Sequence, residues 1–192
     1  GPSKARNLGI KIANKDYIFF MDSDDLIEKS CFKKLISKVK KDSYPDYIVG
    51  LHYQSRKIKN RIIKNINYCG IKKYDLSQKN TFFENYFRNY CKYTREYCLF
   101  EHCWGRLIKL SLVKKNNIFF NEKMNQLEDI LFNSDVLKKC DHIEILKEPI
   151  YNHVLYGSED RLSLRSGEEK SIIKDLKKVS INLSELYNKF AL

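Results

Sequence analysis

Three aspartates, Asp22, Asp24 and Asp25, close the run Asp16-Tyr17-Ile18-Phe19-Phe20-Met21-Asp22-Ser23-Asp24-Asp25. Five β-favouring residues, Tyr17 to Met21, read as a strand covered on both faces, so the carboxylates fall at its carboxyl end. That edge is where open α/β sheets bind ligands. Clustered carboxylate oxygens suit hard divalent cations, which in turn bind phosphates. Capping of the next helix explains one aspartate but not three. A second acidic pair, Glu128-Asp129, precedes Ile130-Leu131-Phe132 and opens a helix. Acids at a helix start are also ordinary dipole partners, so that pair has meaning only beside other motifs. His52, His102 and His142 have no ligand-like spacing with the cysteines, and no zinc site is expected.

The elements that must position these groups follow from periodicity. Phe32, Leu35, Ile36 and Val39 recur at helical spacing and predict an amphipathic helix from Glu28 to Lys41. Ser43-Tyr44-Pro45 breaks it, and Asp46 to Leu51 reads as the next strand. Tyr53 to Cys69 alternates basic and apolar residues, as an extended ribbon or loop would. A helix from Gln78 to Tyr93 is marked by Phe82, Phe83, Tyr86, Phe87 and Tyr90, aromatics at core spacing. Trp104 to Leu110 reads as a strand, with Ser111 as N-cap of a short helix through Lys115. A helix from Glu128 to Lys139, a strand from His142 to Leu146, a separate Pro149-to-His153 segment, a polar loop with Ser158 and Arg161, and a helix from Glu168 to Phe190 complete the chain.

The 192 residues suffice for one ordinary domain with its own core. Six cysteines without a Cys-x-x-Cys pair, and no visible signal peptide, read as reduced thiols of a cytoplasmic protein. No apolar run is long enough to span a bilayer. Lys and Arg number 36 against 24 Asp and Glu, a formal charge of +12 that favours anionic partners. The charge is spread over solvated helix faces, with a denser group at Arg56, Lys57, Lys59, Arg61 and Lys64. No nucleic-acid motif accompanies it, and nucleic-acid binding would leave the carboxylates unexplained. An anionic inner-membrane surface, reached peripherally, is a partner that would fit such a basic chain.

Taken together, Ala5-Arg6-Asn7, Ala13, the apolar strand with Asp22-Ser23-Asp24-Asp25, Trp104-Gly105-Arg106-Leu107-Ile108-Lys109 and Glu128-Asp129-Ile130-Leu131-Phe132 resemble glycosyltransferase family 2 enzymes of the GT-A type. The resemblance covers Lys4 to Ser163, with Asp22 to Asp25 as the DxD motif. It implies an α/β chain with a partial GT-A fold: a mixed sheet flanked by helices, lacking the N-terminal nucleotide-binding strands. Gly1-Pro2-Ser3 reads as a protease-cleavage scar, 4–165 as the C-terminal part of the catalytic domain, and 166–192 as a helix packed on it. The implied activity is metal-dependent, inverting transfer of a hexose or N-acetylhexosamine from a nucleoside-diphosphate sugar, a UDP-sugar first. The acceptor would be a glycan or lipid-linked glycan of bacterial surface polysaccharide. By the same resemblance Asp129 is the catalytic base, and Arg6, Asn7, Asp22 and Asp24 bind the donor. Glu128 and Trp104 face the acceptor, and Asp24 and His153 hold Mn²⁺ or Mg²⁺. The alternative is a noncatalytic scaffold or interaction fragment of such an enzyme. An open sheet edge would then invite a homodimer.

Overall fold

The computed structural model describes residues 1–41, 44–58, 61–69, 101–124, 126–155 and 169–190. The expected helix from Gln78 to Tyr93 and the loop bearing Ser158 and Arg161 lie outside them. In chain order the elements are α1 (Pro2–Ile12), β1 (Tyr17–Phe19), β2 (Leu26–Ile27), α2 (Cys31–Lys41), β3 (Tyr47–Ile58), β4 (Arg61–Cys69), β5 (Arg106–Lys109), α3 (Leu110–Lys115), α4 (Glu128–Lys139), β6 (Ile143–Leu155) and α5 (Glu169–Phe190).

One mixed sheet organises the molecule, in the order β1-β5-β3-β6-β2, with β4 paired to β3 off that path. β3 and β6 run parallel, and the other pairings are antiparallel. β3 is central because its length lets it serve three partners. Tyr47 to Val49 pair with β5, His52 to Ile58 with β4, and β6 takes the opposite edge from Tyr47 to Arg56.

Side chains alternate between sheet faces along each strand, and both faces are covered. Tyr47 and Val49 join Ile108, Phe132, Val136, Leu137, Val179 and Leu186 in one core, which brings in α4 and α5. Ile48 joins Cys31, Leu35, Val39, Leu107, Ile150 and Tyr151 in the other, beneath α2. β1 obeys the same alternation, since Ile18 and Phe20 pack on the first core and Tyr17 and Phe19 on the second. The strand is thus covered on both faces, as its apolar run requires. The carboxylate of Asp46 sits where β3 and β6 begin and β5 ends, accepting from the backbone N–H groups of Asp141 and His142 and from Lys109 Nζ.

Several elements depart from the sequence reading. Pro2 and Ser3 belong to α1, with the proline at the start of the helix, where its missing N–H costs nothing, and Ser3 buried. The ribbon from Tyr53 to Cys69 is a β3–β4 hairpin. The Pro149-to-His153 segment is not separate; it continues β6, which absorbs the proline through register shifts opposite Gly50 and Leu51. α3 begins at Leu110 rather than after a Ser111 cap, because Leu110 is buried and its N–H is already bonded to Asp16 O. The helix expected from Glu168 runs from Glu169 to Phe190.

Gly50 marks a close approach of β3 to β6, since a Cβ there would overlap the buried Ile150 side chain. Gly50→Ala is expected to lower unfolding free energy by about 1–3 kcal/mol, the usual cost of overpacking. Urea denaturation followed by circular dichroism checks this, and an unchanged midpoint would count against the β3–β6 register.

Candidate functional site

The site is assembled from α1 outward. Asn7 is buried and uses its whole amide on one loop: Nδ2 donates to Phe120 O and Glu122 Oε1, both at 2.9 Å, while Oδ1 accepts from Phe120 N at 2.8 Å. This fixes the rotation of α1 and with it the place of the adjacent Arg6. The Arg6 guanidinium lies 5.3 Å from the centre of the Phe120 ring, a distance suited to cation–π attraction.

From there Arg6 spans the two acidic motifs. One terminal nitrogen donates to Asp22 Oδ1 at 2.8 Å and the other to Asp129 Oδ1 at 2.9 Å, with Glu128 Oε1 at 3.7 Å. Residues far apart in sequence therefore meet on one planar fork, the geometry for which a guanidinium is suited. Asp129 is held a second time through Oδ2, which accepts from Cys103 N at 3.1 Å. It stands in the first turn of α4, after Leu127 in a left-handed conformation with φ of 64° and without a side-chain cap. Burial pushes the Asp129 carboxyl above its ordinary range; Arg6 and the Cys103 N–H pull it back without cancelling the effect. Glu128 is raised by the same cause. A carboxylate made more basic by burial and held at two points is suited to accept a proton.

The three aspartates after β1 separate into distinct roles. Asp25 is buried and belongs to the scaffold: Oδ2 accepts from the Tyr151 hydroxyl at 2.7 Å and Oδ1 from Val154 N at 2.8 Å. Burial raises its pKa despite these donors. The same Tyr151 hydroxyl accepts from Asp22 N at 3.0 Å, so β6 holds both ends of the turn. Asp24 is exposed, and Asp22 keeps Oδ2 without a partner among the described residues while Oδ1 meets Arg6. Asp22 and Asp24 are thus the two acids of this turn that reach the surface.

Beside them stands an aromatic stack. Trp104 is buried with both indole faces covered, by His102 at 4.4 Å and Tyr151 at 4.5 Å, each within 9° of parallel. The His153 ring is 5.2 Å away and tilted, and His52 meets the indole edge-on at 4.8 Å. The indole consequently holds its neighbours in place and offers no free face for a sugar to stack on. Burial, followed by the nearby Arg106 charge, pushes His52 and His102 down to about 3, so both imidazoles are neutral at physiological pH. His153 is half-buried, beside Asp25. Gly105, at φ of 67°, takes the turn from Trp104 into β5, with Tyr151 against it.

Sequence reasoning missed Tyr151 and the backbone of Cys103. A main-chain donor leaves no residue-type signal. Tyr151 was hidden by reading Pro149 as a strand break, although its alternation with Val154 and Asn152 belongs to one continuous β6. Among the described residues no three His, Cys, Asp or Glu side chains converge tightly enough to hold a metal alone.

A mixed sheet with acidic turns at its edge and helices on both faces defines a GT-A-type glycosyltransferase fold. The structure aligns with the crystal structure of Staphylococcus aureus TarS 1–349 in complex with UDP-GlcNAc at a TM-score of 0.68 and 18% identity, over 95% of this chain and 46% of that one. The TarS 1–349 complex with UDP aligns at 0.64 and 17% identity, over 95% and 45% of the two chains. Residues 1–113 match the family model described as Glycosyl transferase family 2, and the chain belongs to that family. Among curated relatives, a cholesterol galactosyltransferase of Borreliella burgdorferi is 25% identical over 185 residues, 96% of this chain and 48% of that protein. Glycosyltransferase EpsJ of Bacillus subtilis is 24% identical over 152 residues, 79% of this chain and 41% of that one. The chain thus spans less than half the length of these relatives.

Because Asp129 has its carboxyl pKa raised in the folded state, it contributes stability below its unfolded value that is lost as pH rises through the raised one. Arg6 limits that loss. Arg6→Met is therefore expected to cost about 2–3 kcal/mol at neutral pH. The gap to the wild type should shrink as pH falls into the ordinary carboxylate range. Urea titrations across that range check the sign, and a pH-independent gap would contradict it.

Proposed function

We propose that the protein containing this chain transfers a hexose or N-acetylhexosamine from a UDP-sugar to a glycan or lipid-linked acceptor, with inversion and with Asp129 as the base. The observation that carries this reading is the convergence of Asp22 and Asp129 on the Arg6 guanidinium, at 2.8 and 2.9 Å. It sets a group suited to the donor beside a group suited to proton removal. A single displacement needs one base, and Asp129 has the raised pKa and the fixed orientation for that task. The acceptor hydroxyl would approach the Asp129 carboxylate, which takes the proton as the new glycosidic bond forms and the bond from sugar to diphosphate breaks. Arg6 remains protonated in its acidic surroundings and is suited to steady the diphosphate as negative charge grows there. Glu128, at the rim of the same ion cluster, is suited to an acceptor hydroxyl. Asn7 serves by fixing α1, and Trp104 by bracing the stack beside the acceptor side of the cleft.

A divalent cation fits these residues as one that takes most of its ligands from substrate. Asp24, exposed in the turn that also carries Asp22, would offer one or two carboxylates, with the His153 imidazole beside Asp25 as a further donor, rather than a closed cage. Mixed oxygen and nitrogen donors favour Mn²⁺ over Mg²⁺. When bound, the ion supplies Lewis-acid neutralisation of the departing diphosphate. The relatives' names support the substrate class: TarS of S. aureus is described as a poly(ribitol-phosphate) β-N-acetylglucosaminyltransferase, and its structures carry UDP-GlcNAc or UDP.

Asp129→Asn in the full-length protein is expected to leave UDP affinity in the presence of Mn²⁺ within about twofold while lowering kcat by about 10²–10⁴-fold. Calorimetry with UDP and a sugar-transfer assay read the two quantities separately. Undiminished turnover would remove Asp129 as the base.

A further inference from the structure

We propose that the outer face of α2 docks on an anionic lipid surface. α2 buries Cys31, Leu35 and Val39 against the sheet. Its opposite side leaves Phe32 48% and Ile36 50% exposed, one helical turn apart. Lys29, just ahead of the helix, and Lys33 and Ser37 within it are exposed beside them. The lysines of α2 divide by face. Lys34 pairs with Glu148 at 2.6 Å and Lys38 with Glu144 at 3.4 Å, both toward β6, whereas Lys29 and Lys33 have no ion-pair partner among the described residues.

Two half-exposed apolar side chains flanked by unneutralised ammonium groups, on a chain of net charge +12, are complementary to an anionic membrane interface. Phe32 and Ile36 would enter the boundary between headgroups and acyl chains, and the flexible lysine stems keep their charges at headgroup level. An acidic protein could neutralise the lysines but would have to offer a matching apolar recess. A fluid interface accommodates Phe32 and Ile36 without one, so a lipid surface is the occupant assigned here. The face is also coupled to the candidate site. The Phe32 ring packs edge-on against Phe19 at 5.5 Å, and Phe19 lies on the strand that leads into Asp22. Docking through α2 would hold the Asp22-to-Asp25 turn close to the lipid surface, where an acceptor carried on a lipid is presented. Binding of lipid by this face does not depend on the transfer reading, because it needs neither donor nor turnover.

The test is co-sedimentation of the chain with vesicles of phosphatidylcholine alone and of an equal mixture with phosphatidylglycerol. The wild type is expected to bind the mixed vesicles and not the neutral ones, and to be released as salt rises. Lys29→Gln with Lys33→Gln should lower partitioning about 25-fold, at about fivefold for each basic residue. Phe32→Ser with Ile36→Ser should lower it about tenfold or more. All four positions are exposed, and circular dichroism should show wild-type folding in both variants. Failure of the wild type to bind mixed vesicles would overturn the proposal. So would binding that both double variants retain in full, which would place the lipid contact on another basic surface. A dimer that forms without vesicles and is lost in the Phe32/Ile36 variant would also overturn it, assigning the face to a second copy of the chain.

Discussion

A single partly buried guanidinium is the constraint on which the arrangement depends. Arg6 is only 15% exposed, so its charge must be met by partners inside the fold, and those partners come from two widely separated parts of the chain. Asp22 follows β1, and Glu128 and Asp129 open α4. Each of these acids would repel the others in the absence of the cation between them. Removing one side of such a cluster leaves an uncompensated charge in a poorly hydrated place, which is why partners of this kind are held firmly once formed.

The surrounding fold exists to hold Arg6 and its acids at that meeting point. Asn7 locks α1 to the loop at Phe120, and Phe120 in turn stacks on Phe132 of α4 at 3.9 Å. A bridge from Phe20 to Trp104 carries β1 alongside the segment that presents the Cys103 N–H to Asp129. Tyr151 closes the other side by bonding Asp25 and the backbone of Asp22 while its ring supports Trp104. The neutral His52 and His102 pack against that indole without adding charge near Arg106. The three adjacent aspartates thus do different work because of what surrounds each. Asp25 is consumed by β6, Asp22 is shared with Arg6, and Asp24 faces solvent.

Much of this was legible in the sequence where residue type and spacing carry the physics. The unbroken apolar run that begins at Tyr17 specified a strand with two covered faces, and the aspartate turn that follows it was visible in the same stretch. The helices at Cys31 and Glu128 were visible in their periodicity. What stayed hidden falls into two physical kinds. Long-range pairing was one: nothing local told that Pro149 would be absorbed into β6, which concealed Tyr151 as the tie between Asp22 and Asp25. Backbone chemistry was the other, since the donor that fixes Asp129 is the main chain of Cys103. The pairing of Arg6 with both acidic motifs followed neither from composition nor from order; only the fold brings them together. Trp104 illustrates the reverse, a residue whose type suggests a sugar platform and whose two stacked neighbours turn it into a brace.

The most direct measurement is a double-mutant cycle between Arg6 and Asp129, read as unfolding free energy in urea at neutral pH, using Arg6→Met and Asp129→Asn singly and together. If one guanidinium joins the two acidic motifs as described, the pair should show a coupling energy of about 1–3 kcal/mol. Effects that add to within about 0.5 kcal/mol would show that Arg6 and Asp129 act independently, and would contradict the account of a site held together by that contact.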